Sequence, residues 1–254
     1  CLTSGVLNIC RSRKLKGKES PALIFARGVA NIAITGSGTI NGQGAHQNFQ
    51  HGNDSKGGPR RPKIIYFIGC NNVRVQDVTL RNSAYWTQDY EKCNGVIVRG
   101  VKVYSHANWN NDGLDIDSRN VVVSDCYIDC DDDALCLKSD TDTPCENVTV
   151  TNCVLKSNCN AIKFGTSSYS GFKNVTISNC TIDRASEDHI RQWYKNYPWI
   201  GTKHKTVVAG IALESVDGGI IENVSISDIA MQGVQTPIFV RLGDRKRTFS
   251  KQMS

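Results

Sequence analysis

Short runs in which β-branched residues alternate with polar ones recur along the chain: NIAITGSGTI, NNVRVQDVTL, NGVIVRGVKV, RNVVVSDCYI, ENVTVTNCVL, KNVTISNCTI and ENVSISDIAM. Each reads as a short strand, a turn and a second short strand, because a period of two puts every other side chain on one face. Their apolar anchors are Ile32, Val73, Val96, Val121, Val148, Val175 and Val224. From Val73 to Val175 the intervals are 23, 25, 27 and 27 residues, and the last gap of 49 fits two further turns of the same repeat. No helical apolar period of comparable strength competes with this pattern.

A further strand keeps step with the first: DGLDIDS from 112, DALCLKS from 133, NAIKFGT from 160, AGIALES from 209 and TPIFVRL from 236. Strict alternation puts Leu114, Ile116, Leu135, Leu137, Ile162, Phe164, Ile211, Leu213, Ile238 and Val240 on one face, the expected core. Asp115, Asp117, Cys136, Lys138, Lys163, Glu214 and Arg241 then point outward. Two strand positions per turn with no helix between them predict an all-β parallel β-helix, a solenoid whose coils bond through the backbone about 4.8 Å apart. The leucine pattern of a leucine-rich repeat is missing, as are the longer multi-hairpin units of a propeller. Residues 1–254 are expected to form one β-helix domain. Because SGVLNIC already reads as a strand and no amphipathic cap follows PIFVRLGDRKR, that domain is expected to be truncated at both ends.

The repeat changes how the cysteines and asparagines are read. Eleven cysteines suggest disulfides, but Cys70, Cys93 and Cys145 each lie three residues before an anchor, and Cys126, Cys153 and Cys180 five after one. These fit stacked core ladders of small apolar side chains, while Cys130, Cys136 and Cys159 keep the option of pairing. Asn72, Asn120, Asn147, Asn174 and Asn223 each immediately precede an anchor and are expected to stack as an amide ladder. The glycosylation sequons at Asn147, Asn174, Asn179 and Asn223 therefore lie inside the repeat, and Asn53, in a polar loop, is the better acceptor.

A net charge of +6 and a pI near 8.7 suit a solvated surface, and leave open an acidic polymer or nucleic acid as partner. No apolar run is long enough to span a bilayer, and no signal-peptide pattern appears.

Against this mildly basic background, the stretch DCDDDALCLKSD crowds aspartates at the turn entering a strand. Asp112 and Asp133 hold the same place one coil apart, Asp132 precedes the second, and Asn160 holds that place on the next coil. Three carboxylates within two coils hold one proton more tightly than a free aspartate, as glycoside hydrolysis requires of its acid and base pair. Two other readings stand beside this one: calcium held by Asp112, Asp131, Asp132 and Asp133, or a merely polar turn. The outward charges likewise suit either a functional cleft or a solvated face of ion pairs, Lys163 with Asp115 or Asp117 among them.

NNDGLDID at 110 to 117 and DDDALCLKS at 131 to 139 resemble the Asn-Thr-Asp and Asp-Asp segments of glycoside hydrolase family 28, the polygalacturonases and rhamnogalacturonan hydrolases. NIAITGSGTINGQG and RNSAYWT fit the same family, so the resemblance, of bacterial type, runs from about Gly28 to Gly243. It implies a right-handed, pectin-lyase-like β-helix and hydrolysis with inversion. Asp132 would be the general acid, and Asp112 with Asp133 would activate water. Two departures qualify this. Cys159, Asn160 and Ala161 stand where polygalacturonases carry Gly-His-Gly, and Ala212, Leu213 and Glu214 where they carry Arg-Ile-Lys. Loss of those cations, with an acidic Glu214 in their place, disfavours plain polygalacturonate and favours rhamnogalacturonan or a substituted galacturonan. Asn110, Asn160, Lys163, His106, Glu214 and Lys138 are the candidate substrate-binding residues. The segment 187 to 205 reads as an insertion whose Trp193, Tyr194, Tyr197 and Trp199 could stack on sugars, with Arg191 and Lys195 meeting acid groups, and which also carries His189 and His204; Trp86 has the same two readings, sugar platform or packing.

The expectation is thus an inverting pectic hydrolase, secreted or periplasmic, monomeric, without cofactor or catalytic metal and without a nucleic-acid partner. A calcium-dependent lyase using Lys138 or Lys163 as base, and a non-catalytic solenoid gripping an acidic glycan, are the alternatives.

Overall fold

The computed structural model describes residues 6–8, 22–49, 61–108, 110–187 and 206–247. Among the described residues, nineteen strands join into one sheet in which every pairing is parallel and links one coil to the next. The anchors superimpose residue on residue, Ile32 on Val73, Val73 on Val96, and on through Val121, Val148, Val175 and Val224. The chain is a parallel β-helix.

Each coil carries three strands, not the expected two. Column I holds the anchors, for example Asn71–Gln76 and Cys145–Thr151. The short segment after the turn forms its own column II, with Thr79–Arg81, Lys102–Ser105, Tyr127–Cys130 and Val154–Ser157. Column III contains Lys63–Ile68, Leu135–Ser139, Asn160–Ser168, Val207–Ser215 and Val234–Leu242, and the long strands Gln88–Arg99 and Leu114–Ser124 run from column III into column I. The 49-residue gap is also a single coil, since Val175 pairs directly with Val224. The gap does not hold two turns, and its extra length includes the insertion read at 187 to 205, because spacing measures chain length rather than climb along the axis. Much of that insertion, with His189, Arg191, Trp193, Tyr194, Lys195, Tyr197, Trp199 and His204, lies outside the described residues, as do Asn53 and Cys1 and Cys10.

The turns explain the recurrent asparagine. Asn31, Asn72, Asn120, Asn147, Asn174 and Asn223 all have φ between 53° and 61°, the left-handed region that asparagine and glycine tolerate best, and Gly95 takes the place with φ 73° in the one coil lacking it. Their amides bond coil to coil, Asn147 Nδ2 to Asn120 Oδ1 at 3.0 Å and Asn174 Nδ2 to Asn147 Oδ1 at 3.1 Å. The nine described cysteines are buried free thiols, Cys130, Cys136 and Cys159 included.

Leu114, Ile116, Leu135, Leu137, Ile162 and Phe164 are fully buried, as the alternation requires. Ile238 and Val240, however, are 63% and 64% exposed, because no further described coil stacks on theirs. The outward positions differ from expectation more sharply: Asp115, Asp117 and Cys136 point away from the core yet are buried, and Glu214 is 9% exposed. Alternation fixes the face of a strand but not what covers that face. Among the described residues, no helix is long and apolar enough to cross a membrane.

Candidate active site

The acidic corner forms where the chain enters column III. Leu114 pairs with Leu135 and Leu135 with Ile162, so Asp112, Asp133 and Asn160 occupy equivalent places on three successive coils. Backbone bonds fix the stacking: Gly113 N donates to Asp133 O at 2.9 Å, and Ala134 N to Asn160 O at 2.9 Å. Gly113 is required by this close approach, since a Cβ there would collide with Ile128 Cγ2 and Ala134 O. Below it, Asn111 braces the loop, donating to Ser83 O at 2.7 Å and accepting from Asn108 N at 2.7 Å. Thr87 N holds Asp112 O at 2.8 Å. The SAYW segment thus serves as the scaffold of the acidic loop.

Asp112, Asp132 and Asp133 are all buried, and two lysines from column III are threaded among them. Lys138 Nζ lies 3.1 Å from Asp115 Oδ1 and 3.7 Å from Asp112 Oδ2. Lys163 Nζ lies 3.1 Å from Asp133 Oδ2 and 3.8 Å from Glu214 Oε1. Lys163 is therefore paired with Asp133 and Glu214, not with Asp115 or Asp117, which lie one coil farther down. Asn160 Nδ2 donates to Asp133 Oδ1 at 2.7 Å, and Asp133 N donates to Asp132 Oδ1 at 3.0 Å.

These partners drive the carboxyls in opposite directions. Burial pushes Asp112 well above the usual carboxylate range, reinforced by Asp115 and Asp132 against the pull of Lys138. Burial also lifts Asp115, to about 7, despite Lys138. At Asp133 burial works the same way but is outweighed by Lys163, Lys138 and the Asn160 amide, which hold it below its ordinary value. Burial opposes charge on Lys138 too, yet Asp115, Cys136 and Asp112 raise it well above the usual lysine range. The two directions differ: the surroundings of Asp112 favour its protonated form, and those of Asp133 favour its anion.

Of the other candidates, Asn110 accepts a hydrogen bond from Arg61 at 3.0 Å. His106 faces a neighbouring cleft that it shares with Asn41, Gln43 and Asn82, and its Nε2 contacts Asp129 Oδ1 at 2.9 Å. Trp86 proves to be a roof over cations: Lys63 and Lys138 Nζ lie 4.4 and 4.3 Å from its ring centre, and Tyr85 stacks on it at 5.1 Å. Lys63, paired with Asp89 at 2.5 Å, escaped sequence reasoning altogether. Asp89 stands directly opposite Asp115 on the coil below, so each of these stacked carboxylates has its own lysine. The only advance signal was that two like charges so placed demand cations.

Asp112, Asp115 and Cys136 bring their ligand atoms within 4.8 Å of one another, as do Asp132, Asp133 and Cys159. Lys138 and Lys163 already lie against Asp115 and Asp133, burial pushes the Cys136 thiol up and keeps it protonated, and Asp131 Oδ1 accepts from Asn158 at 3.1 Å. Calcium, which seeks several anionic oxygens at once, is poorly served by this set.

Comparison with known proteins bears on the family and the fold. The profile of glycosyl hydrolases family 28 matches residues 7–247. A probable polygalacturonase of Arabidopsis thaliana is 32% identical over 128 residues, covering 50% of this chain and 26% of the relative. One from Vitis vinifera is 31% identical over 137 residues, covering 52% and 27%. The chain thus spans only about a quarter of the length of these curated relatives. A polygalacturonase from Erwinia carotovora shares the fold, with a TM-score of 0.69 at 19% identity over 95% of this chain and 66% of that one. With a profile match that runs from the first described strand into the last described residues, this chain belongs to glycosyl hydrolases family 28.

Proposed function

We propose that the chain hydrolyses glycosidic bonds of a pectic polysaccharide with inversion of configuration. Asp132 protonates the departing oxygen, and Asp133 with Asp112 activates the attacking water. The observation that carries this reading is geometric: Asp112 and Asp133 stack on successive coils with Asp132 next to the second, all three are buried, and Lys138 and Lys163 lie beside Asp112 and Asp133. Asp132 gives its proton to the leaving oxygen as the glycosidic bond breaks, and Asp133, with Asp112 beside it, takes the water proton as the new bond forms.

The sugar at the cleavage subsite is neutral or differently substituted, as rhamnogalacturonan or a substituted galacturonan offers, and not plain galacturonate. Supporting this, Lys138 and Lys163 are each engaged by two protein carboxylates, and Glu214 adds negative charge. Asn160, bonded to Asp133, adds a neutral group, and His106 with Asn41 and Asn82 lines a cleft of about 580 Å³ for a flanking sugar. The raised values of Lys138 and Lys163 argue against a lyase, because a lysine base must shed its proton. The enzyme works as a monomer, secreted or periplasmic.

The test is an assay of new reducing ends on rhamnogalacturonan, substituted galacturonan and plain polygalacturonate, with and without chelator, alongside absorbance of unsaturated uronate. Reducing ends that persist in chelator, without absorbance, are expected. Chelator-sensitive unsaturated product would make it a lyase, and silence on all substrates a binding solenoid.

A further inference from the structure

We infer that Lys163 is a positioning residue that fixes Asp133 as the carboxylate accepting the water proton, and that Glu214 sets how strongly it does so. This rests on the hydrolase reading above. The coil carrying Lys163 grips both oxygens of Asp133. Lys163 Nζ lies 3.1 Å from Oδ2, while Asn160 Nδ2 at 2.7 Å and Asn160 N at 3.3 Å donate to Oδ1. In column III Lys163 stands between Cys136 below and Ala212 above, two small residues that leave its long side chain room along the sheet face. From the next coil Glu214 Oε1 approaches the same ammonium at 3.8 Å, so one cation is shared between a reacting carboxylate and a carboxylate one coil away. A lysine so divided has little charge left for substrate.

The remaining groups facing Asp133 do not substitute for Lys163. Lys138 also favours the Asp133 anion, but its shortest carboxylate contact is with Asp115, at 3.1 Å. Asp112 is a carboxyl, pushed up chiefly by burial, and burial keeps the Cys130 and Cys136 thiols neutral. Asp132 and Cys159, whose ligand atoms lie within 4.8 Å of that of Asp133, bring no positive charge.

The experiment compares Lys163→Met, Lys163→Arg and Glu214→Gln with the wild type, reading the pH profile of kcat/KM on whichever pectic substrate the wild type cleaves. The base must be ionised, so losing the cation moves the acid limb to higher pH, by about one pH unit or more. Lys163→Arg restores its position. Glu214→Gln, which frees the whole charge for Asp133, moves it lower and reads out the inference even if Lys163→Met fails to fold. An unmoved acid limb, with KM rising only for uronate-bearing substrates, would make Lys163 a substrate contact and overturn the inference. Carboxyl-carbon NMR titration of Asp133 in the wild type and Glu214→Gln needs no substrate and separates the two claims. A downward shift in a protein inactive on every pectin would sink the hydrolase reading and leave the pairing standing. An unshifted Asp133 would sink the pairing, whatever the activity.

Discussion

The Gly113 amide donates to the carbonyl oxygen of Asp133 at 2.9 Å, so the two acidic corners are joined by main chain and not merely adjacent. Their relative placement depends on how closely two backbones approach, and a methyl at 113 would strike Ile128 and Ala134 O. Gly113→Ala should therefore separate the carboxyls. The expected cost is about 1 to 3 kcal/mol of stability, as for overpacked cores, and a drop in kcat of about 10²-fold from misplacement. Urea unfolding and steady-state kinetics check both, and a variant of normal activity would show that the corners need no such closeness.

The register of that corner could be read from sequence because β-branched alternation fixes which residues stack, and Asp112, Asp133 and Asn160 fell into line as expected. The family motif at 131 to 139 pointed to the same corner. The short strand after the turn was legible in each repeat but was not counted as a column of its own, because segments such as Thr79–Arg81 are too short to show a period. Ion-pair partners were illegible for a different reason: a lysine side chain can reach up or down a coil, and only packing decides that Lys163 meets Asp133 and Glu214. His106 lay close to Asp112 in sequence, yet the turn between them carries it to a separate cleft, where it pairs with Asp129.

Asn147 tests what the amide ladder contributes. It sits at φ 55° and both donates to Asn120 and accepts from Asn174. Asn147→Ala loses both bonds and places a β-carbon in the left-handed region, for an expected loss of about 1 to 3 kcal/mol. Asn147→Gly loses the same bonds without the backbone penalty, as Gly95 does naturally with φ 73°, and should recover about 1 kcal/mol of it. Equal midpoints for the two variants in urea would show that the conformation contributes nothing.

Asp132→Asn should abolish turnover while preserving the fold. The amide oxygen can still accept from Asp133 N, as Oδ1 does at 3.0 Å, and the Ser157 hydroxyl holds the main-chain oxygen of 132 at 2.6 Å whatever the side chain. What is lost is the deliverable proton, so kcat should fall by about 10²- to 10⁴-fold with an unchanged thermal midpoint. Retention of most activity would move the acid role elsewhere, with Asp112 first in line.

Stability should fall as pH rises from mildly acid to neutral. Asp112, Asp115 and Asp117 are all held above the ordinary carboxylate value, chiefly by burial, and Asp115 reaches about 7. A carboxyl raised in the fold ionises first in the unfolded chain. The unfolded state then binds fewer protons from about pH 4 upward, and stability is lost until the folded pKa is passed. Asp133, Asp129 and Asp217 work the other way: burial is outweighed at Asp133 by Lys163, at Asp129 by His106 and at Asp217 by Arg245, and their stabilisation disappears only as pH falls through their lowered values. The two groups together place the optimum in the mildly acid range. Urea unfolding between about pH 4.5 and 7 should show a declining free energy, each raised carboxyl adding at most about 1.4 kcal/mol per pH unit. Asp115→Asn, which cannot ionise, should make the slope shallower. A free energy that rises with pH through this window would mean that Lys138 holds Asp115 as an anion and that the buried face is charged at rest.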